Sequence, residues 1–191
     1  LCLSLTPIGV GRSGAAAEYV NVPAKNAFNV DESLGGELAG LIEPLACVLH
    51  ALESSGGVRG KTVLVFGGGT MGLLTAIMSD VSGANRVVLA DPSAHKRAIA
   101  NRAGIAEAVD PRALGAECFD IVFEAAGVKS ALLGALALVE KTGVLVQIGV
   151  HDEDVIVEFN PFNIYEREIT IIGSNSCADK YAEAVDVMSG I

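Results

Sequence analysis

Lys61-Thr62-Val63-Leu64-Val65-Phe66-Gly67-Gly68-Gly69-Thr70-Met71-Gly72 is the stretch whose reading decides the fold. Val63 to Phe66 are consecutive β-favouring apolar residues that run straight into Gly67-x-Gly69-x-x-Gly72. Apolar residues then recur at Met71, Leu74, Ile77, Met78 and Val81, the spacing of a helix face. The order is strand, tight turn, helix. In such a turn Gly67 permits the reversal, Gly69 lets the backbone approach a pyrophosphate, and Gly72 lets the helix lie close to the strand. Thr70 and Met71 belong to the first helical turn, whose unsatisfied N–H groups and positive dipole end suit phosphate. Alone the pattern is weak, because glycine-rich turns recur for conformational reasons. Arg86 to Ala90 strengthens it: this second apolar strand ends in Asp91, 19 residues beyond Gly72. A carboxylate there can accept both hydroxyls of an adenosine ribose, so the unit reads as dinucleotide-binding.

Working outward, the strand-helix alternation continues for more than a hundred residues. Strand 61–66 and helix 71–82 are followed by strand 86–90, a helix over 94–103, a short strand at 107–109 and strand 119–124, which ends in Ala125-Ala126-Gly127. Helix 129–140, strand 144–148 ending in Gly149, and strand 168–172 ending in Gly173-Ser174 complete the set. Six strands with crossover helices predict an α/β, doubly wound parallel sheet. The first thirty residues differ: Gly, Pro and short β-type runs, with Ala17 to Pro23 as the clearest strand, predict a β-rich architecture. Leu38 to Glu53 is helical in pattern but interrupted at Glu43-Pro44, so Pro44 is expected to open a helix to about Ser54, with Glu43 extended before it. Asp179 to Gly190 reads as a terminal helix.

The chain has 191 residues, 51% of them hydrophobic, enough for a sizeable core. A net charge of −10 argues against a nucleic-acid surface, which needs clustered Lys and Arg. The uncharged run from Thr62 to Ser79 carries glycines and hydroxyl residues in strand-turn-helix order, so it does not predict a membrane span. No positive region precedes the apolar first residues and no Met begins them, so no signal peptide is expected and the chain reads as a fragment. Cys2, Cys47, Cys118 and Cys177 are scattered and form no CxxC pair, as expected of reduced thiols in a cytoplasmic protein. The acidic triplet 152–154 reads as a solvated loop, His50 as a packed or surface helix residue, and His95 and His151 as surface residues.

Several local patterns together carry a resemblance. Gly14-x-x-Ala17-Glu18-Tyr19-Val20-x-Val22-Pro23-Ala24, Glu43-Pro44-Leu45-Ala46-Cys47-x-x-His50-Ala51-Leu52, the glycine turn, and Phe159-x-Pro161-x-x-Ile164 leading to Glu168-Ile169-x-Ile171-x-Gly173-Ser174 resemble the zinc-dependent medium-chain alcohol dehydrogenases. The branch most similar is that of the sorbitol and threonine dehydrogenases. The resemblance covers essentially the whole chain. It implies residues 1–43 as the end of a β-rich, GroES-like catalytic domain, 44–177 as the Rossmann domain and 178–191 as a helical return toward the catalytic domain. It implies NAD-dependent oxidation of a secondary alcohol (polyol, sugar alcohol or threonine-like), with zinc as the Lewis acid.

By the same resemblance Glu43 lies beside the catalytic zinc, as ligand or through water; read from its position alone it is a helix-cap carboxylate. Cys2 would be the last of four structural-zinc cysteines. Cys47 would border the nicotinamide, as would Ile148 and Ser174, with Ala125, Ala126 and Gly149 at the neighbouring strand ends. Lys96 would help hold the adenosine ribose beside Asp91. A carboxylate at the ribose repels a 2′-phosphate and favours NAD over NADP, although Arg97 could accommodate such a phosphate. The upstream catalytic cysteine and the Gly-His-Glu motif of the family do not occur in the chain, so as it stands it is expected neither to hold a catalytic zinc nor to turn over substrate. That leaves a non-catalytic NAD-binding module, or a zinc-free quinone or enoyl reductase, as alternatives. A homodimer or homotetramer, a small-molecule alcohol and no nucleic-acid or membrane partner complete the expectation.

Overall fold

The computed structural model describes residues 4 and 6–190; Cys2, the structural-zinc candidate, lies outside them. Strand β1 (Thr62–Phe66) is flanked by β2 (Arg86–Ala90) and β4 (Phe119–Glu124), and the sheet is completed by β3 (Glu107–Val109), β5 (Val139–Gln147) and β6 (Thr170–Gly173). All pair in parallel in the order β3-β2-β1-β4-β5-β6. The doubly wound six-stranded sheet expected from the sequence is therefore present. Its order reverses between β1 and β4, which opens a crevice at their carboxyl ends.

Continuous apolar strands form here because both faces are covered. Val63 and Val65 point into one core with Leu89 and Phe123, beneath α2 (Ile42–Ser54), α3 (Thr70–Val81), α4 (Ala94–Arg102) and α7 (Tyr181–Ser189). Leu64 and Phe66 point into the other with Val122 and Leu145, beneath α5 (Lys129–Leu138) and α6 (Pro161–Arg167). The face of α3 that is buried differs from the apolar stripe. Gly72, Thr75, Ala76, Met78 and Ser79 are buried, whereas Val81 is 72% exposed and Met71, Leu74 and Ile77 are only partly covered. Small residues bring the helix close to the sheet, and the hydroxyls are satisfied within the helix: Thr75 donates to the Met71 carbonyl at 2.8 Å and Ser79 to the Thr75 carbonyl at 2.7 Å.

Several expectations are corrected. Helix α2 opens at Ile42, so Glu43 is helical rather than extended. Pro44 falls in the first turn, where its missing N–H leaves no hydrogen bond unmade, and Leu45 N–H already reaches the Leu41 carbonyl at 2.9 Å. A short helix, α1 (Gly35–Ala39), precedes it. Residues 17–23 form no strand: among the described residues nothing pairs with them, Tyr19 is 86% exposed, and β-propensity without a ladder partner does not make a strand. The β-rich character expected of the first thirty residues reduces, among those described, to one bridge between Ile8 and Arg12. Strand β5 begins at Val139, pairs with Phe119, and breaks register before Val144. Thr142 is left-handed at this break (φ 62°), and Gly143 beside it admits no side chain, since a Cβ there would sit 2.7 Å from the Glu140 carbonyl oxygen. Lastly, α6 is a helix the periodicity does not reveal; its signal is Asn160-Pro161, with the Asn160 side chain accepting from Phe162 N–H at 3.0 Å and Pro161 at the first helical position. Glu168, in the left-handed conformation (φ 52°), ends α6 and delays β6 to Thr170.

No single described helix is long and apolar enough to cross a membrane. At the amino edge of the sheet β1 is tied to β4 by side chains: Thr62 N–H and Oγ1 donate to Asp120 Oδ2 at 2.7 and 2.8 Å, and Asp120 N–H donates to Thr62 Oγ1 at 3.0 Å. These bonds, the backbone one foremost, hold the Asp120 carboxyl below its ordinary value of 3.8. Asp120→Ala should lower unfolding free energy at neutral pH by about 1–3 kcal/mol, the cost of stranding the Thr62 donors. Because the folded value is depressed, that contribution is present above 3.8 and is lost as pH falls through the lower folded value. Denaturant melts of both proteins along a pH series should therefore converge on the acid side.

Candidate cofactor site

The turn between β1 and α3 builds the site from backbone alone. Gly67 has φ 107°, and its N–H donates to the Ala90 carbonyl at 2.8 Å, which locks the end of β1 to the end of β2. Gly72 lies against it: any Cβ on Gly72 would collide with the Gly67 carbonyl. Gly69 caps α3 with extended backbone (φ −78°, ψ −174°), and a Cβ there would meet nothing within 4 Å. Its space is open where the first N–H groups of α3, on Thr70 and Met71, lack helical partners. Those are the properties of a pyrophosphate cradle: positive partial charge, close backbone access and no side chain in the way.

Asp91 stands beside this cradle, only 4% exposed. Its Oδ2 accepts the Gly68 N–H at 2.7 Å and its Oδ1 the Ser93 N–H at 2.8 Å, so the carboxylate is aimed by backbone on both sides. Lys96 Nζ is 3.6 Å from Oδ2 and half exposed. Arg97, by contrast, is committed elsewhere: Nη1 donates to the carbonyls of Asp91 and Pro92 at 2.8 and 2.9 Å and lies 3.6 Å from Asp110 Oδ2. Next to Asp91 a cavity of about 310 Å³ opens between Phe66, Pro92, Arg112, Ala126 and Ala131. It is mostly apolar and sits at strand ends, as a planar base requires. Asp110 and Arg112 border it and were not foreseen. Arg112 Nη2 binds Asp110 Oδ2 at 2.7 Å, which holds the Asp110 carboxyl well below the usual range. The signal for them was Asp-Pro immediately after β3.

Across the crevice lie the ends of β4, β5 and β6. Ala125 N–H donates to the Phe66 carbonyl at 2.9 Å, Ile148 and Gly149 N–H both donate to the Glu124 carbonyl at 2.8 Å, and Ser174 N–H donates to the Gln147 carbonyl at 2.9 Å. The strand-end candidates Ala125, Ala126, Ile148, Gly149 and Ser174 are thereby brought to one edge of the sheet. Glu43 and Cys47 lie apart on α2, one turn from each other, with Cys47 Sγ donating to Glu43 Oε1 at 3.4 Å. Burial, reinforced by the Glu43 charge, pushes the Cys47 thiol up to about 12, so it remains a neutral contact group and no nucleophile. Tyr181 on α7 is likewise pushed up to about 12 by burial, then by Cys177, Glu43 and Cys47, which places these groups in one neighbourhood. Among the described residues no group of three or more His, Cys, Asp or Glu side chains could hold a metal ion. Glu43 and Cys47 alone do not make a zinc site; further donors are required.

His95 is exposed, as expected, and His50 is half-buried on α2. His151 is not a surface residue: its side chain is 10% exposed, and its Nε2 lies 4.0 Å from Oε2 of the fully buried Glu124.

Comparison with known proteins agrees with this architecture. The family profile of zinc-binding dehydrogenases matches residues 70–190. An L-threonine 3-dehydrogenase of Pseudoalteromonas translucida is 33% identical over 170 residues, 84% of this chain and 50% of that protein. A D-altritol 5-dehydrogenase of Agrobacterium fabrum is 32% identical over 195 residues, 98% of this chain and 58% of that protein. A zinc-binding dehydrogenase of Sinorhizobium meliloti, solved with NADP, is 36% identical and superposes with a TM-score of 0.93 over 100% of this chain and 59% of its own. The chain thus spans about half the length of the curated relatives it matches.

The glycines separate folding from binding. Gly69→Ala should leave the thermal midpoint within about 1 °C, since the methyl meets no protein atom, yet weaken dinucleotide binding about tenfold by occupying the cradle. Gly72→Ala should instead destabilise the fold by about 1–3 kcal/mol or more, through overpacking against Gly67. Thermal unfolding alongside a fluorescence titration with NADH reads both.

Proposed function

The chain belongs to the zinc-binding dehydrogenase family, and on that premise we propose that the protein carrying it oxidises a secondary alcohol of the polyol, sugar-alcohol or hydroxy-amino-acid class, using NAD. The observation that carries the reading is the carboxyl edge of the sheet, where Asp91 after β2, the open backbone at Gly69 after β1 and the ends of β4 and β5 stand on neighbouring strands. When bound, the dinucleotide supplies the hydride acceptor. The chain's residues bind and orient it. The N-terminus of α3 receives the pyrophosphate, Asp91 and Lys96 the adenosine ribose, and the cavity beside Pro92 and Arg112 the base. Ala125, Ala126, Ile148, Gly149 and Ser174, with Cys47 from α2, are left for the nicotinamide half.

The preference for NAD over NADP rests on Asp91. Its carboxylate is fixed at the ribose position by two backbone N–H groups, where it would repel a 2′-phosphate. The residue that could relieve this repulsion, Arg97, is bound to carbonyls and Asp110. The Sinorhizobium meliloti relative holds NADP, and the half-exposed Lys96 is the group in this chain that favours that second reading. We place Glu43 beside the catalytic zinc, as one donor or through water, with the other donors outside the described residues. Residues up to 43 are assigned to the catalytic domain, 44–177 to cofactor binding and 178–191 to the return segment. A homodimer or homotetramer is the assembly we favour: β6 is an edge strand with Ile171 43% exposed. The free thiols of Cys47, Cys118 and Cys177 suit a cytoplasmic location.

Steady-state assays of the purified protein with threonine and a panel of polyols, each with NAD and NADP, test the reading. NAD reduction with a secondary alcohol is expected, and kcat/KM should favour NAD. Asp91→Ser should lower kcat/KM for NAD about tenfold while raising that for NADP. Binding of S-adenosylmethionine without binding of either dinucleotide would overturn it.

A further inference from the structure

Glu124 is the only fully buried carboxylate among the described residues, and cofactor contact does not explain it. It ends β4, one residue from the crevice. Its Oε1 accepts the N–H groups of Ala126 and Gly127, each at 2.8 Å. Its main-chain oxygen accepts those of Ile148 and Gly149, each at 2.8 Å. One residue therefore gathers the backbone ends of both strands that face the nicotinamide half of the crevice. Space is reserved for its carboxylate: a Cβ on Gly149 would stand 2.5 Å from Oε2.

The remaining oxygen, Oε2, is buried and without a hydrogen-bond partner, and so is Nε2 of His151. They face each other at 4.0 Å, from side chains 0% and 10% exposed. The network specifies which ring nitrogen carries hydrogen. Gln147 Nε2 lies 3.4 Å from the Gly149 carbonyl and 3.2 Å from His151 Nδ1. Only the NH2 end of the amide can bond a carbonyl, so it also donates to Nδ1, which leaves the hydrogen on Nε2, pointing at Glu124. A buried donor and a buried acceptor thus stand opposite each other, about 1 Å beyond hydrogen-bond distance. Left unmade, the pair keeps a buried donor and a buried acceptor unsatisfied, so closing the gap between the loop from Ile148 to His151 and β4 is favourable.

We propose that Glu124 and His151 are a positioning pair that closes when the nicotinamide half of the cofactor seats between the ends of β4 and β5. Neither touches the cofactor; both act through the backbone of Ala126, Gly127, Ile148 and Gly149. The inference rests on the dinucleotide reading above and names how this chain orients the reacting end.

The two halves of the cofactor provide the test. In the purified protein, affinity for NADH is measured by nicotinamide fluorescence and affinity for ADP-ribose by calorimetry. His151→Phe should weaken NADH at least tenfold while changing ADP-ribose less than twofold, because the adenosine half sits over Asp91, and Glu124→Gln, which also releases Ala126 at the base cavity, should weaken NADH at least fivefold more than ADP-ribose. His151→Gln, whose amide can present a donor near the Nε2 position, should restore NADH to within threefold of wild type. Equal losses for both ligands, an unchanged NADH affinity, or failure of His151→Gln to differ from His151→Phe would overturn the pair. Should Glu124→Gln not fold, the two His151 variants decide alone. If the unaltered protein binds neither ligand, the cofactor reading itself fails, and the pair with it.

Discussion

The contact on which the rest depends is the approach of the first turn of α3 to the end of β1. Gly72 meets Gly67 so closely that no side-chain carbon fits between them. This is a steric condition, and it sets the height of α3 above the sheet. Once the helix is that low, its buried face must be made of small residues, which is what Thr75, Ala76 and Ser79 supply. The same approach brings the helix N-terminus to the carboxyl edge of the sheet, where Gly68 can donate to Asp91. Packing and ligand geometry follow from one missing side chain.

Electrostatics operates locally against an unfavourable whole. A chain with net charge −10 is not suited to attract an anionic dinucleotide over distance. Within a Debye length of about 8 Å, however, the field is set by near groups. At the cradle these are the helix N-terminus, Lys96 and Arg112, with Asp91 and Asp110 held in defined ion pairs. The paired carboxylates keep the region from being uniformly basic.

The two sides of the crevice are built on different principles. Beside the glycine turn, the Asp91 carboxylate is aimed by backbone N–H groups. On the other side, a carboxylate is buried beneath the backbone, and it is the backbone that lines the ligand space. The cost of burying the Glu124 carboxylate is offset in part by the two backbone N–H groups that reach Oε1, while two more satisfy its main-chain oxygen.

How much of this could be read beforehand divides along a physical line. Gly67-x-Gly69-x-x-Gly72, the apolar strands and Asp91 were legible because they express conditions local in sequence: steric allowance at a turn, side-chain period along an element, and a spacing that one strand-helix-strand unit fixes. Asn160-Pro161 carries a local capping signal of the same kind, without the apolar periodicity that marks the other helices. What the chain could not show by itself was partnership. Ala17 to Pro23 has the composition of a strand yet lacks a ladder to join. His151 follows Gly149-Val150, precedes an acidic loop and has every local mark of a surface residue. Glu124 reads as the polar end of a strand. Their burial and pairing arise only when β4 and β5, joined through a helix, come side by side and their ends fold over one another. The sequence alone determined the dinucleotide turn and the sheet it belongs to; the tertiary structure decided which polar groups lie beneath it, because desolvation and hydrogen-bond partners belong to elements in contact and not to neighbours in the chain.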